Sequence, residues 1–178
     1  LKNTYDYGTR TPDLLYKFAM AAVEASMGDA GTISEEYLQG LAGSKKLLST
    51  ENMKLIMQVA QDFNNTAFDI MSQNTAKFVE TFGAEKVHTV LGNAMRQKVA
   101  EAGKKGNTTA MDEALKFVDA NMSDKARRLK PELSMIYFEA NKDWAAYCNA
   151  APDYVTLNLM DDAVGLNNVA WNFFEHAT

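Results

Sequence analysis

From Leu14 to Phe174 the apolar residues of this chain return every three or four positions, and no stretch alternates apolar with polar residues. The first pattern is one face of an α-helix; the second would be a half-buried strand. The sequence therefore predicts an all-α fold of antiparallel helix hairpins, eight to ten helices joined by short turns. Three Pro and ten Gly in 178 residues leave few breakers, and 47% apolar residues suffice for a sizeable core. The length suits one domain spanning 1–178, with 1–10 as an N-terminal linker.

Starts and stops can be placed along the chain. Thr11-Pro12-Asp13 is a hydroxyl cap followed by Pro in the first turn, where a missing N–H costs nothing, and Gly28 supplies a stop. Ser34-Glu35-Glu36 and Thr50-Glu51 open the next two helices. After the break at Asn64-Asn65-Thr66, Phe68, Met71, Thr75, Phe78 and Phe82 form one continuous seam up to Gly83. Val87 to Met95 gives a fifth helix that ends in Gly103-Lys104-Lys105-Gly106-Asn107, and Thr108 or Thr109 opens a sixth. Pro131 predicts a break near Leu129 or the first turn of a new helix, because an interior Pro costs about 3 kcal/mol. Asp143 caps the following helix, Pro152 is a candidate stop, and Asn158 to Gly165 reads as a linker before the last helix.

Leu133 and Leu166 lie 33 residues apart, close to a tetratricopeptide period, and each is followed by an aromatic, Tyr137 and Trp171. This predicts a degenerate tetratricopeptide-like solenoid or bundle. Phe68, Phe78, Tyr137, Trp144, Tyr147 and Trp171 are the expected core aromatics.

Little in the sequence carries chemistry. The net charge of −5 lacks the basic excess of a nucleic-acid binder, and no apolar run approaches the roughly 20 residues of a membrane span. No Gly-rich phosphate loop or His-Glu-x-x-His motif is present. Two His cannot form a three-His site, and Asp161-Asp162 lacks the alternating oxygens of a calcium loop, so it reads as a turn or a helix cap. No cofactor or metal is expected. The ten Met fall at core spacing, and the paired lysines and arginines read as solvated faces. Cys148, the single cysteine, is the one candidate nucleophile or redox residue. It lies beside Tyr147 and four residues after Trp144 on an apolar face, which favours a small packing residue over a reactive thiol. Residue 1 is Leu and no charged-then-apolar leader precedes it, as in a processed chain or a piece of a longer one.

Four stretches stand out together: Thr4 to Tyr16, Leu48 to Met53, Asn141 to Tyr147, and Asn167 to Phe173. Their order resembles the helical region that follows the thioredoxin fold in thioredoxin-family, thiol-disulfide interchange proteins of Bacteroidetes. The resemblance implies an exported, periplasmic parent whose redox chemistry belongs to a Cys-x-x-Cys motif absent from this chain. Two function classes follow. One is a non-catalytic interaction module that holds a protein or peptide, or its own thioredoxin domain; the other is a redox-active protein in which Cys148 exchanges with a disulfide.

Overall fold

The computed structural model describes residues 1–176. Helices account for 79% of the chain, and no strand occurs among the described residues. The helices are α1 (Lys2–Asp6), α2 (Pro12–Glu24), α3 (Ala30–Gly40), α4 (Thr50–Val59), α5 (Thr66–Gln73), α6 (Thr75–Phe82), α7 (Ala84–Lys104), α8 (Thr108–Asn121), α9 (Ser123–Asn141), α10 (Trp144–Tyr154) and α11 (Ala163–His176), with a π-helical turn at Val155–Leu159 between the last two. The fold is all-α, as the periodicity requires. Where one domain is expected, the chain divides into two compact units, Leu1–Ala94 and Met95–Thr178, with α7 running through the boundary.

In the first unit α2 packs on α3, and Phe18, Ile33, Leu38, Met53, Ile56, Met71 and Phe78 form the core. The Thr11 side chain caps α2 by accepting from the Leu14 N–H at 3.4 Å. Segment 1–10 is not the expected linker. It contains α1, and its aromatic and basic side chains reach back onto the helices. The Tyr5 hydroxyl donates to Glu36 Oε2 at 2.8 Å, Arg10 pairs with Glu36 at 2.6 Å and lies 3.6 Å over the Tyr5 ring, and that ring meets Phe18 edge-on at 5.1 Å.

The Leu48 to Met53 stretch is spent on holding this unit together. Ser49 caps α4 through the Asn52 N–H, and Asn52 itself is buried. Its amide accepts from the Tyr37 hydroxyl and donates to the Lys46 carbonyl, both at 2.8 Å, so the buried polar atoms have partners. The seam expected from Phe68 to Phe82 is broken at Asn74. The Asn74 amide donates to the Ile70 carbonyl at 2.7 Å and the Thr75 hydroxyl to those of Met71 and Ser72, so side chains replace the helical ladder and α5 ends there. Asn65 caps α5, accepting from the Phe68 N–H at 2.8 Å.

Glu35, on α3, reinforces the same helix end. Its carboxylate accepts from the Thr66 N–H at 3.0 Å, from the Thr66 hydroxyl, and from Gln39 at 2.7 Å. Partial burial pushes its pKa up, but these hydrogen bonds to the charged form outweigh burial and leave it below the ordinary value. A depressed folded pKa means that the stabilisation is present above the unfolded value and is lost as pH falls through the folded one. Thermal melts should therefore show Glu35→Gln less stable than the parent at pH 7, with the gap closing as pH falls towards 3. A gap that stayed constant over that range would remove the carboxylate charge from the account.

In the second unit α8 packs on α9 and α9 on α10, around Met95, Val99, Val118, Leu133, Tyr137 and Tyr147. Arg96 donates to both carboxylate oxygens of Glu132, at 2.7 and 2.9 Å, and this pairing raises the guanidinium pKa further. Pro131 neither breaks nor starts a helix; it sits inside α9. The N–H that Pro131 lacks would have bonded the Arg127 carbonyl, so α9 gives up one bond of its ladder. Packing of α9 against α8 and α10 outweighs this local penalty. Pro152 likewise lies inside α10, which passes into the π-helical turn instead of a linker. Leu133 is deep inside α9 and buried, whereas Leu166 opens α11 and is only partly buried, so the 33-residue spacing does not mark equivalent helix positions.

Candidate interaction surface

The last two helices and the turn between them are built around a small aromatic core. Asp143 caps α10 by accepting from the Ala146 N–H at 3.0 Å, after Lys142 has turned the chain in the left-handed region at φ 58°. This sets Trp144 and Tyr147 on one face of α10. Tyr147 is buried with Met135, Ala151, Leu159 and Val169, and Trp144, Cys148, Leu166 and Phe173 pack around that cluster. The Trp144 ring meets Tyr147 edge-on at 5.6 Å, and His176 stacks on it at 3.8 Å. The Asn172 amide donates to the Tyr147 hydroxyl at 3.0 Å. Asp162 caps α11 through the Val164 and Gly165 N–H groups, at 3.1 and 3.0 Å.

Phe68, Phe78, Tyr137 and Tyr147 are buried and Trp144 is partly buried. Trp171 is not a core residue. It is 55% exposed. In a helix each residue turns by about 100°, so Trp171 lies roughly 200° from both Val169 and Phe173, which face the core. Cys148 is half-buried on α10, packed against the aromatic cluster, with no second cysteine in the chain. His88 is half-buried on α7. No group of three or more His, Cys, Asp or Glu side chains converges among the described residues, and no described helix is long and apolar enough to cross a membrane.

What α11 does present is an outward apolar stripe. Met160 leads into it, and Val164, Trp171 and Phe174 follow at helical spacing, 71%, 55% and 77% exposed. The Trp171 and Phe174 rings lie against each other at 5.6 Å. Exposed polar Asn167 sits in the same row, between Val164 and Trp171. Four large apolar side chains in one row expose roughly a few hundred Å², the size of the largest apolar patch on a typical folded chain, which is often functional. In sequence this appears as two interleaved series in one helix: Leu166, Val169 and Phe173 facing the core, and Val164, Trp171 and Phe174 on the other side. An ordinary surface helix carries one apolar stripe. No protein-family model, curated protein or solved structure matches this chain.

Proposed function

We propose that this chain is a non-catalytic helical module that binds another protein or peptide through the outward face of α11, as an arm of an exported, periplasmic thioredoxin-like protein. The exposed stripe of Met160, Val164, Trp171 and Phe174 carries the reading. An apolar row of this size on a helix whose opposite face is already buried has no role in the fold of its own unit, and withdrawing it from water on a partner is favourable. The partner class rests on the four stretches that resemble the helical region after a thioredoxin fold. Here those stretches supply caps and packing: Thr11, Ser49, Asn52, Asp143 and Tyr147 each hold a helix end or a buried contact. Cys148 is set among aromatic residues rather than beside a resolving thiol, so a complete dithiol exchange cycle has no second sulfur within one copy.

The test pairs the chain with the thioredoxin-fold domain that its own reading frame is expected to encode. Calorimetric titration should give saturable binding, and Trp171→Ser with Phe174→Ser should abolish it while leaving the melting curve close to the parent's. The chain alone should not reduce insulin above the buffer rate. Binding unaffected by the double substitution would move the surface elsewhere, and turnover that disappears in Cys148→Ser would establish the redox alternative.

A further inference from the structure

Between the stripe and the buried face of α11, the helices α9, α10 and α11 enclose a half-open cleft of about 250 Å³. Its apolar floor is Met135, Leu159 and Val169, all buried. Its polar wall has Glu132 and Glu139 one heptad apart on α9, Tyr147 and Tyr154 one heptad apart on α10, and Asn168 and Asn172 four residues apart on α11. Those spacings put each pair on a single helix face, so three helices aim their polar groups into one opening. Gly165 leaves room at the cleft's edge for two side chains: a Cβ there would lie 2.7 Å from Leu159 Cδ2 and 2.6 Å from Asp162 Oδ2.

The wall is already partly committed. Glu132 is neutralised by the two-pronged Arg96 contact, and one Asn172 hydrogen is given to Tyr147. What remains is a mixed polar wall, with the Tyr147 and Tyr154 hydroxyls and the amides of Asn168 and Asn172 able to donate and accept, and one uncompensated charge, the Glu139 carboxylate, which has no ion-pair partner among the described residues. We propose that this cleft binds a small organic ammonium ion, its alkyl stem on the Met135, Leu159 and Val169 floor and its charged nitrogen donating to Glu139 and the neighbouring hydroxyl and amide oxygens. An anion would meet the unpaired carboxylate, and an apolar guest would offer it no opposite charge. An ammonium offers three donors and the opposite charge. The volume falls below the roughly 300–1,000 Å³ of drug-sized pockets, which suits a short chain of a few carbons. Burial, with nearby Glu139 for Tyr147 and Glu132 for Tyr154, raises both phenol pKa values, so neither phenol adds a competing negative charge near neutral pH.

A free amine and a lysine side chain offer the same chemistry. The experiment titrates the full chain with pentylamine, with Nα-acetyl-lysine methylamide and, as controls, with pentanol and pentanoate, following backbone and side-chain amide resonances. Pentylamine should shift the Asn168 and Asn172 side-chain amides saturably, and Glu139→Gln should weaken it about two- to fivefold, the worth of an ion pair to an exposed carboxylate. Matching shifts from the lysine amide would identify a lysine of a polypeptide as the ligand; saturation by pentylamine alone would identify a free amine. Glu139 is exposed on α9, so its substitution should leave the melting curve unchanged and keep the comparison clean. No saturable shift with either amine, equal shifts with pentanol, or undiminished binding by Glu139→Gln would each overturn the proposal.

Discussion

Gly103→Ala is expected to destabilise the chain by about 1–3 kcal/mol, as overpacking does, although the same change usually strengthens a helix. A Cβ at Gly103 would lie 2.5 Å from the Tyr137 carbonyl oxygen, 2.7 Å from the Ala140 Cβ and 3.3 Å from the Asn141 N–H nitrogen. Two of the three are backbone atoms, so no rotamer change can relieve the contact; α7 and α9 must separate, and the packing of Val99, Ala102 and Tyr137 loosens with them. Against this stands a propensity gain of at most about 1 kcal/mol for replacing Gly by Ala in a helix, reduced here because Gly103 is in the last turn. The clash wins. Gly31, inside α3, is the control: nothing lies within 4 Å of its Cβ position, so Gly31→Ala should be neutral or stabilising. Chemical denaturation of the two variants should give shifts of opposite sign. A Gly103→Ala midpoint at or above the parent's would mean that α7 and α9 do not approach this closely.

That pair of glycines shows where sequence reasoning stops. Helix type follows from spacing alone, because burying one face at a period near 3.6 is a local property of the chain. Caps are also local: Thr11 and Asp143 act where the pattern places them. Gly103 reads as part of a polar stop, Gly103-Lys104-Lys105-Gly106-Asn107, because nothing near it in sequence reveals the α9 backbone packed across it. Pro131 reads as a break for the same reason. What carries α9 through it is packing against α8 and α10, which the spacing around Pro131 does not show. Asn74 is the converse, a polar residue on an apolar seam whose side chain takes a carbonyl four residues back and divides α5 from α6.

The candidate surface was partly legible. The apolar richness of Val164 to Phe174 is plain, but assigning all of it to the core requires one face to hold more than it can. Leu166, Val169 and Phe173 fill the inward face, which leaves Trp171 and Phe174 outward. The amine cleft was not legible. Glu132, Glu139, Tyr154 and Asn168 are unremarkable where they occur in the sequence, and they become a site because the hairpin after Asp143 and the π-helical turn after Tyr154 bring three helix faces together.

Tyr147→Ala should be the more damaging of two aromatic truncations in the last hairpin, costing about 3–5 kcal/mol, the usual range for a large buried aromatic. Tyr147 is 2% exposed, its ring lies 5.6 Å from Trp144 and 6.3 Å from Phe173, and its hydroxyl accepts from Asn172. Removing it takes the centre out of the Met135, Leu159 and Val169 cluster and strands the Asn172 amide. For a unit of this size, a loss of that magnitude should lower the melting temperature by about 10 °C or more. Tyr147→Phe keeps the ring and removes only the hydrogen bond, so it should cost about 1 kcal/mol. Trp171→Ala removes a larger side chain, but one that is more than half exposed, and should stay within about 0.5 kcal/mol of the parent. Thermal unfolding of the three variants gives the order directly. If Trp171→Ala destabilised as much as Tyr147→Ala, the outward face of α11 would belong to the core and would no longer be free for a partner. If the order holds, Trp171 can be removed without harming the fold, and any binding lost with it is a property of that surface.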